Sequence, residues 1–177
     1  MVVRHPFERL LSAYRDKLED HRRGVQHGTL HYYRKYGRRI VSHYRKSNSS
    51  RVEPTFEEFV DYLIDTDLAL YADDHWIPFY LFCTPCLVDY DLIVHFETLD
   101  EDFLLLLRQL NVEEGPSWKH MTLGGASSEV AHSYFSQLTK AKVEELFEKY
   151  RLDFKLFGYD AAPYLAMARD NIQMDQE

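Results

Sequence analysis

The sequence lacks features that would assign it to several broad classes. No apolar run approaches the ~20 residues that a helix needs to cross a bilayer. No glycine-rich or G-K-[ST] loop for nucleotide phosphates occurs in the 177 residues. Disorder is excluded as well, because 45% of the residues are hydrophobic and 15% are aromatic. The composition therefore predicts a single globular domain over residues 1–177, with a hydrophobic core and no internal repeat.

Cysteine is scarce, and both cysteines lie in one short motif, Cys83-Thr84-Pro85-Cys86. A redox motif would need a helix that opens at Cys83, and Pro85 argues against one. As half of a zinc site the motif lacks a second pair of ligands, and we predict no metal. We interpret the two cysteines as structural.

Acidic residues are absent from residues 21–52, although the whole chain has a net charge of −8. This basic segment holds nine of the 21 lysines and arginines, interleaved with four tyrosines. One interpretation is a groove for a polyanion such as a glycosaminoglycan, and another is a solvated segment that pairs with the acidic remainder. A single-stranded nucleic acid is a third possible partner, but we expect a glycan. The candidate contacts are Arg34, Lys35, Arg38 and Arg39.

Residues 2–18 predict a short strand, an arginine and then a helix. Pro6 suits the first helical position, where its missing N–H costs nothing. An apolar stripe follows at helical spacing, formed by Phe7, Leu10, Leu11, Tyr14 and Leu18. Arg4 then lies at the strand–helix corner, and Ser12 lies off the stripe in the second turn. A guanidinium and a hydroxyl beside a helix N-terminus can bind a phosphate, whereas the alternative is an amphipathic helix with a surface arginine.

The remaining pattern is helix-rich, with only one further strand. That strand is predicted over 92–96, which is apolar and β-branched, as in a buried parallel sheet. Thr55 and Glu58 predict a capping box at a helix start. An aromatic-rich tail over 150–164 is expected to pack on the core. Helices are predicted over 6–22, partly over 30–45, and over 128–138 and 139–147.

Residues 3–18, VRHPFERLLSAYRDKL, resemble the 3′-phosphate-binding motif of Golgi carbohydrate sulfotransferases. The similarity is greatest to the branch that sulfates chondroitin, dermatan and terminal sugars. Further motifs follow in the family's order, and several weak motifs in one order are more specific than any one of them. They are His-Trp-Ile-Pro at 75–78, Cys-Thr-Pro-Cys at 83–86, Asp-Tyr-Asp at 89–91, Glu-Thr-Leu at 97–99 and Tyr-Arg-Leu-Asp-Phe at 150–154.

The resemblance implies an α/β, P-loop-kinase-like sulfotransferase fold, incomplete in this chain, with 21–52 as a basic aromatic insertion. It implies sulfuryl transfer from 3′-phosphoadenosine 5′-phosphosulfate to a sugar hydroxyl of a glycosaminoglycan or glycoprotein glycan. Arg4 and Ser12 would hold the donor's 3′-phosphate. The family's membrane anchor and 5′-phosphosulfate loop precede this motif, so the chain resembles a C-terminal portion. The implied location is the Golgi lumen, with which the glycosylation triplet at Asn48 agrees.

Other candidate residues are assigned within the resemblance. His75 and Trp76 are predicted to contact the acceptor, although a histidine that orders its loop is the alternative. In the wider fold a late loop closes over the 3′-phosphate, so Ser127 and Ser128 are candidate donor contacts or helix caps. We expect the cysteines to be disulfide-bonded in the complete protein. No catalytic base is assigned, and a catalytically inactive glycan-binding module remains the alternative function.

Overall fold

The computed structural model describes residues 1–22, 28–46, 49–112 and 128–170. Helices dominate, as predicted, and none of those described is long and apolar enough to cross a membrane. The helices are α1 Pro6–Lys17, α2 Thr29–Tyr32, α3 Arg38–Tyr44, α4 Phe56–Asp65, α5 Leu68–Tyr71, α6 Phe79–Phe82, α7 Leu99–Gln109, α8 Ser128–Phe135, α9 Lys140–Phe157 and α10 Ala162–Met167. A π-helical turn, Tyr33–Gly37, joins α2 to α3, so the partial helix predicted over 30–45 is confirmed.

Two strands, β1 Val2–Val3 and β2 Val94–His95, form a small parallel sheet. Val2 pairs with Val94, and Val3 pairs with His95. The strand predicted over 92–96 was too long, because a 3₁₀ turn begins at Phe96 and leads into α7. The Asp102 carboxylate accepts the backbone N–H of His95 at 3.2 Å and so joins the end of β2 to α7.

Helix α1 ends at Lys17, five residues before the predicted end at Arg22. The N–H groups of Leu18 and Glu19 both donate to the Tyr14 carbonyl, at 2.8 and 3.0 Å, which closes the last turn. The Asp20 carboxylate then accepts the N–H of Arg22 at 2.9 Å. Such a local side-chain bond offers the backbone an alternative to the helix, which explains the early end.

The predicted capping box at the start of α4 is confirmed. The N–H of Glu58 donates to the Thr55 hydroxyl at 3.1 Å, and the N–H of Thr55 donates to the Glu58 carboxylate at 2.8 Å. The two residues thereby satisfy two donors that the first turn would otherwise leave unpaired.

Helix α9 continues ten residues beyond the predicted end at Phe147. Its buried side chains recur every three or four residues through the aromatic stretch, so the aromatic residues extend the helix rather than end it. Gly158, with a φ of 70°, ends the helix in the left-handed region that glycine adopts without strain. The predicted tail does pack on the core, and its buried aromatic residues are Tyr150, Phe154, Phe157 and Tyr164.

The core is built from aromatic side chains of α1, α4 and α9 around Trp76, which is fully buried. The rings of Phe59 and Trp76 meet edge to face, with centroids 5.5 Å apart. Phe7 packs in the same manner on Phe154, at 4.9 Å. The corner before α1 and the loop around Trp76 therefore rest on one core, which limits their relative movement.

Candidate functional site

The strand–helix corner has the predicted form. His5 is the N-cap of α1, and its Nδ1 accepts the N–H of Phe7 at 3.2 Å. The Nε2 of His5 lies 3.0 Å from the carbonyl oxygen of Asp160, to which it can donate only as Nε2–H. The ring is therefore the neutral tautomer, and burial agrees with this because it lowers the pKa of His5.

Arg4 lies directly before this cap and is mostly buried. Its guanidinium stacks 4.8 Å from the centroid of the Phe96 ring, and one nitrogen lies 3.9 Å from the Glu8 carboxylate. Its buried Nε has no hydrogen-bond partner among the described residues. A positioned guanidinium that stays partly exposed directly before a helix N-terminus fits a phosphate group.

The serines predicted to bind the phosphate together with Arg4 come from different parts of the chain. Ser12 is half-buried in α1, and its hydroxyl makes no hydrogen bond to a described residue. Ser128, the first residue of α8, is exposed and shares a cavity of about 410 Å³ with His5 and Glu8. The fold thus brings Ser128 beside the start of α1, whereas Ser127 lies outside the described residues.

Glu8 is the negative group at this corner. Besides facing Arg4, its carboxylate accepts the Tyr164 hydroxyl at 2.6 Å. Glu97 accepts the N–H of His5 at 2.7 Å and the hydroxyl of Tyr159 at 2.9 Å. Both carboxylates are used to hold the corner, and the sequence motif Glu-Thr-Leu had given no indication of this contact.

The loop before α6 is the second part of the candidate site. His75 lies in this loop, within a network of polar side chains. Its Nδ1 lies 2.7 Å from Asp73, 3.0 Å from Asp74 and 3.1 Å from the Tyr32 hydroxyl. Burial alone would raise the pKa of Asp73, but hydrogen bonds with Asp74, His75 and Tyr36 hold it well below its usual range. Trp76, next in the chain, is fully buried, with its ring centroid 6.4 Å from that of His75. It therefore has no exposed surface for the predicted contact with the acceptor.

Three buried side chains hold the backbone that follows His75, and sequence analysis assigned a role to none of them. Arg9 of α1 donates to the carbonyl of Ile77, and the Tyr150 hydroxyl donates to the carbonyl of Trp76 at 2.5 Å. The Asp153 carboxylate accepts the N–H groups of Phe79 and Tyr80, the start of α6, at 2.7 and 2.8 Å. One signal was present in the sequence, since Asp153 is a charged residue on the buried face of α9.

The basic segment divides into paired and unpaired cations. Arg45 binds the Glu58 carboxylate with two nitrogens, each at 2.8 Å, and His21 lies 2.6 Å from Glu53. The interpretation that the segment pairs with the acidic remainder therefore holds for part of it, because acidic residues of the fold neutralise these two side chains. Arg34 and Arg39 are exposed and make no ion pair with a described residue, while Arg38 stacks on the Tyr33 ring at 5.7 Å.

Lys35 joins the basic segment to the His75 network, with its ammonium 3.6 Å from the Asp73 carboxylate. Tyr36, its neighbour, donates to the same carboxylate at 2.9 Å. The Lys17 ammonium of α1 lies 5.2 Å from the centre of the Tyr32 ring. The fold thus brings the corner helix, the His75 loop and the basic segment together on one side of the core.

Within the residues that the structure describes, two clusters have the composition of metal ligands. Asp73, Asp74 and His75 place their ligand atoms within 4.8 Å of one another, as do the side chains of Asp20, His21 and Glu53. Hydrogen bonds within the first cluster and the ammonium of Lys35 already account for its geometry.

Cys83 and Cys86 are both free thiols and are not bonded to each other, and burial raises the pKa of Cys83.

Comparison with known proteins assigns the chain to a family. The family model described as "Sulfotransferase family" matches residues 1–160. The chain belongs to the sulfotransferase family. The resemblance inferred from the motifs is thereby confirmed, and the match includes the corner, the His75 loop and the basic segment.

The curated relatives are carbohydrate sulfotransferases. Carbohydrate sulfotransferase 8 of Homo sapiens is 34% identical over 169 residues, covering 90% of this chain and 38% of the relative. Carbohydrate sulfotransferase 11 of Rattus norvegicus is 33% identical over 177 residues, covering 94% and 48%. Carbohydrate sulfotransferase 14 of Danio rerio is 35% identical over 167 residues, covering 90% and 43%. The sulfotransferase chain described here thus spans less than half the length of these relatives, and no solved structure matches it significantly.

Proposed function

We propose that this chain carries the donor 3′-phosphate site and part of the acceptor site of a carbohydrate sulfotransferase. The reaction is the transfer of a sulfuryl group from 3′-phosphoadenosine 5′-phosphosulfate to a hydroxyl of a glycosaminoglycan or glycoprotein glycan. The observation that carries the proposal is Arg4, a stacked and partly exposed guanidinium directly before a helix N-terminus, inside the matched family region. When bound, the donor supplies the activated sulfuryl group.

Each candidate residue has a role in this proposal. Arg4 and Ser12 bind the 3′-phosphate. Ser128, the first residue of α8, and Ser127, which precedes it in the sequence, are the further donor contacts. His75 contacts the acceptor sugar, with Trp76 buried next to it. The exposed cations of the basic segment hold the acidic groups of the glycan, and they are Arg34, Lys35, Arg38 and Arg39.

The complete fold, the domain organisation and the cellular location are part of the same proposal. The β1–β2 pair and its helices belong to a P-loop-kinase-like sandwich, in which 1–177 is one partial domain and 21–52 an insertion. The complete protein is a Golgi membrane protein with this region in the lumen. The family match over residues 1–160 and the order of the motifs support this setting.

The test is a thermal-shift titration with adenosine 3′,5′-bisphosphate on the parent chain, Arg4→Ala and Arg151→Ala. A ligand at ~100 times its dissociation constant stabilises the native state by about 2.7 kcal/mol, which is readily measured. We expect a shift in the parent chain and in Arg151→Ala, whose exposed guanidinium lies on α9. We expect no shift in Arg4→Ala. Equal shifts in all three proteins would contradict the assignment of Arg4.

A glycan-binding module without catalytic activity is the second candidate function. One observation favours it: Arg34 and Arg39 lie exposed without ion pairs among the described residues. A chain that binds sulfated glycans but shows no shift with adenosine 3′,5′-bisphosphate would support this function over the first.

A further inference from the structure

Helix α7 has little of its surface buried, although it is rich in leucine. Leu99 is its one buried residue within the described part of the chain, and the helix packs mainly on β2 and on the 3₁₀ turn before it. Leu104 and Leu105 are 53% and 55% exposed, and Leu110 and Val112, directly after the helix, are exposed as well. A single exposed leucine is common on a protein surface, but several along one short helix indicate an interaction surface.

Glu101 and Arg108 lie on the same face of α7 as Leu104 and Leu105, one charge at each end. The four positions have the spacing i, i+3, i+4, i+7, which places them on one stripe of an α-helix. All four side chains are exposed, and neither charge forms an ion pair with a residue that the structure describes. The stripe is therefore anionic at one end, apolar in the middle and cationic at the other end.

The helix dipole explains only part of this arrangement. A carboxylate near the N-terminus and a guanidinium near the C-terminus both interact favourably with the dipole of their own helix. Asp102 in the same first turn has a role within the chain, because its carboxylate accepts the Thr98 hydroxyl at 2.8 Å and the N–H of His95 at 3.2 Å. Neither effect accounts for the exposed leucines between Glu101 and Arg108.

The stripe is complementary to a second copy of itself in the antiparallel direction. Glu101 and Arg108 lie equally far from the midpoint between Leu104 and Leu105, about 5 Å along the helix axis. Two copies that pack antiparallel about this midpoint place each Glu101 beside Arg108 of the other copy and bury the leucines between the two pairs. Such a patch, which contacts itself about a two-fold axis, is the interface of a cyclic dimer.

We propose that two copies of this chain associate through α7, antiparallel and with two-fold symmetry. Burial of the leucines supplies the affinity, and the two Glu101–Arg108 pairs select the orientation, since a parallel arrangement would bring like charges together. The helix is only about 16 Å long, so the contact area is small and the dimer is weak and concentration-dependent. The interface uses none of the residues assigned to the donor or the acceptor.

The test is sedimentation velocity of the 177-residue chain over a concentration series, in which we expect a monomer–dimer equilibrium. Leu104→Ser should weaken the dimer about tenfold, because two leucine side chains lose their buried surface. Leu156→Ser is the matched control, since Leu156 is 46% exposed on α9 and should leave the equilibrium unchanged. Glu101→Arg should also weaken the dimer about tenfold, because two attractive pairs become repulsive.

A charge exchange tests the antiparallel arrangement directly. Glu101→Arg and Arg108→Glu should each dimerise poorly alone. An equimolar mixture of these two variants should dimerise about as well as the parent chain, because every contact between the copies then joins opposite charges. The chain that carries both substitutions should dimerise for the same reason.

Three results would overturn the inference. The first is a parent chain that stays monomeric over the whole series, which would leave α7 as a surface for a different partner. The second is equal weakening by Leu104→Ser and Leu156→Ser, which would indicate nonspecific association of exposed leucines. The third is a mixture of the two charge variants that dimerises no better than either alone, which would exclude the antiparallel packing.

Discussion

The arginines of the corner and those of the basic segment have different surroundings. Neighbouring groups hold the corner arginines in place, whereas the arginines of the basic segment are exposed to a ligand. At the corner, Arg9 stacks 4.1 Å from the Phe79 ring and donates to the carbonyl of Ile77, while Arg4 stacks on Phe96. In the basic segment, Arg34 and Arg39 are exposed, on the π-helical turn and on α3, and make no ion pair with a described residue. A guanidinium held by a ring can fix one phosphate, whereas an exposed one can follow a polymer whose charges vary in position.

Carboxylates show the same division. Asp153 is fully buried, and burial raises its pKa even though two backbone N–H groups donate to it. Asp65 and Asp67 are exposed and face a cleft. If the buried groups fix the geometry of the site and the exposed groups bind the ligand, substitutions of the two kinds should affect different measurements. Substitution of a buried group should change the unfolding free energy, and substitution of an exposed group should change ligand binding.

The largest expected effect is that of Asp153→Ala. The change leaves the N–H groups of Phe79 and Tyr80 without their acceptor in the protein interior, which should cost about 3 kcal/mol of unfolding free energy. Urea denaturation measures it. Glu148→Ala is the control, because Glu148 is exposed on the same helix and its loss should stay within about 0.5 kcal/mol. Similar losses in the two variants would remove the distinction between buried and exposed carboxylates.

Glu58→Ala should have the next largest effect, about 2 kcal/mol of unfolding free energy. The variant loses the acceptor for the Thr55 N–H, which is one half of the capping box, and both hydrogen bonds from Arg45. Glu58→Gln keeps the size and one acceptor, so its loss should be clearly smaller. If Glu58 were only a paired charge on the surface, both variants would lose little unfolding free energy, and nearly the same amount.

His5 allows the buried corner to be tested by pH. Burial places its folded-state pKa below the ordinary value of 6.5, so the neutral ring is favoured by folding. Its contribution should therefore be complete above pH 6.5 and decrease as the pH falls through the lower folded-state pKa. The loss should approach that of one helix cap, ~1 kcal/mol.

The measurement is the unfolding free energy at several pH values for the parent chain, His5→Asn and His132→Asn. The pH-dependent decrease should disappear in His5→Asn, since asparagine can cap the helix without titrating. It should persist in His132→Asn, because His132 is exposed on α8. Persistence in both variants would assign the decrease to other groups.

The smallest effect on stability is expected for Arg38→Ala, within about 0.5 kcal/mol of unfolding free energy. Its effect should appear instead in binding to a sulfated glycan, with weaker affinity and a smaller dependence on salt concentration. Arg151→Ala, also exposed but on α9, should change neither quantity. A large stability loss in Arg38→Ala would show that this arginine belongs to the buried network.

Local rules account for the parts of the fold and site that were predicted. The corner at Arg4, the capping box at Thr55 and the helical basic segment each depend on residues within a few positions of one another. The errors arose where distant contacts or a local side-chain bond competed with a local pattern, as at the shortened β2 and the early end of α1.

The amino-acid sequence by itself determined the order of the motifs, the corner that presents Arg4 and the separation of basic from acidic segments, because these depend on neighbouring residues. Only the tertiary structure decided that Arg9, Tyr150 and Asp153 meet on the backbone after His75, and that Tyr71 shares a cleft with Arg39. Such contacts join residues separated by 32 to more than 70 positions. They form because aromatic burial brings α1, α4 and α9 together, which no local pattern specifies.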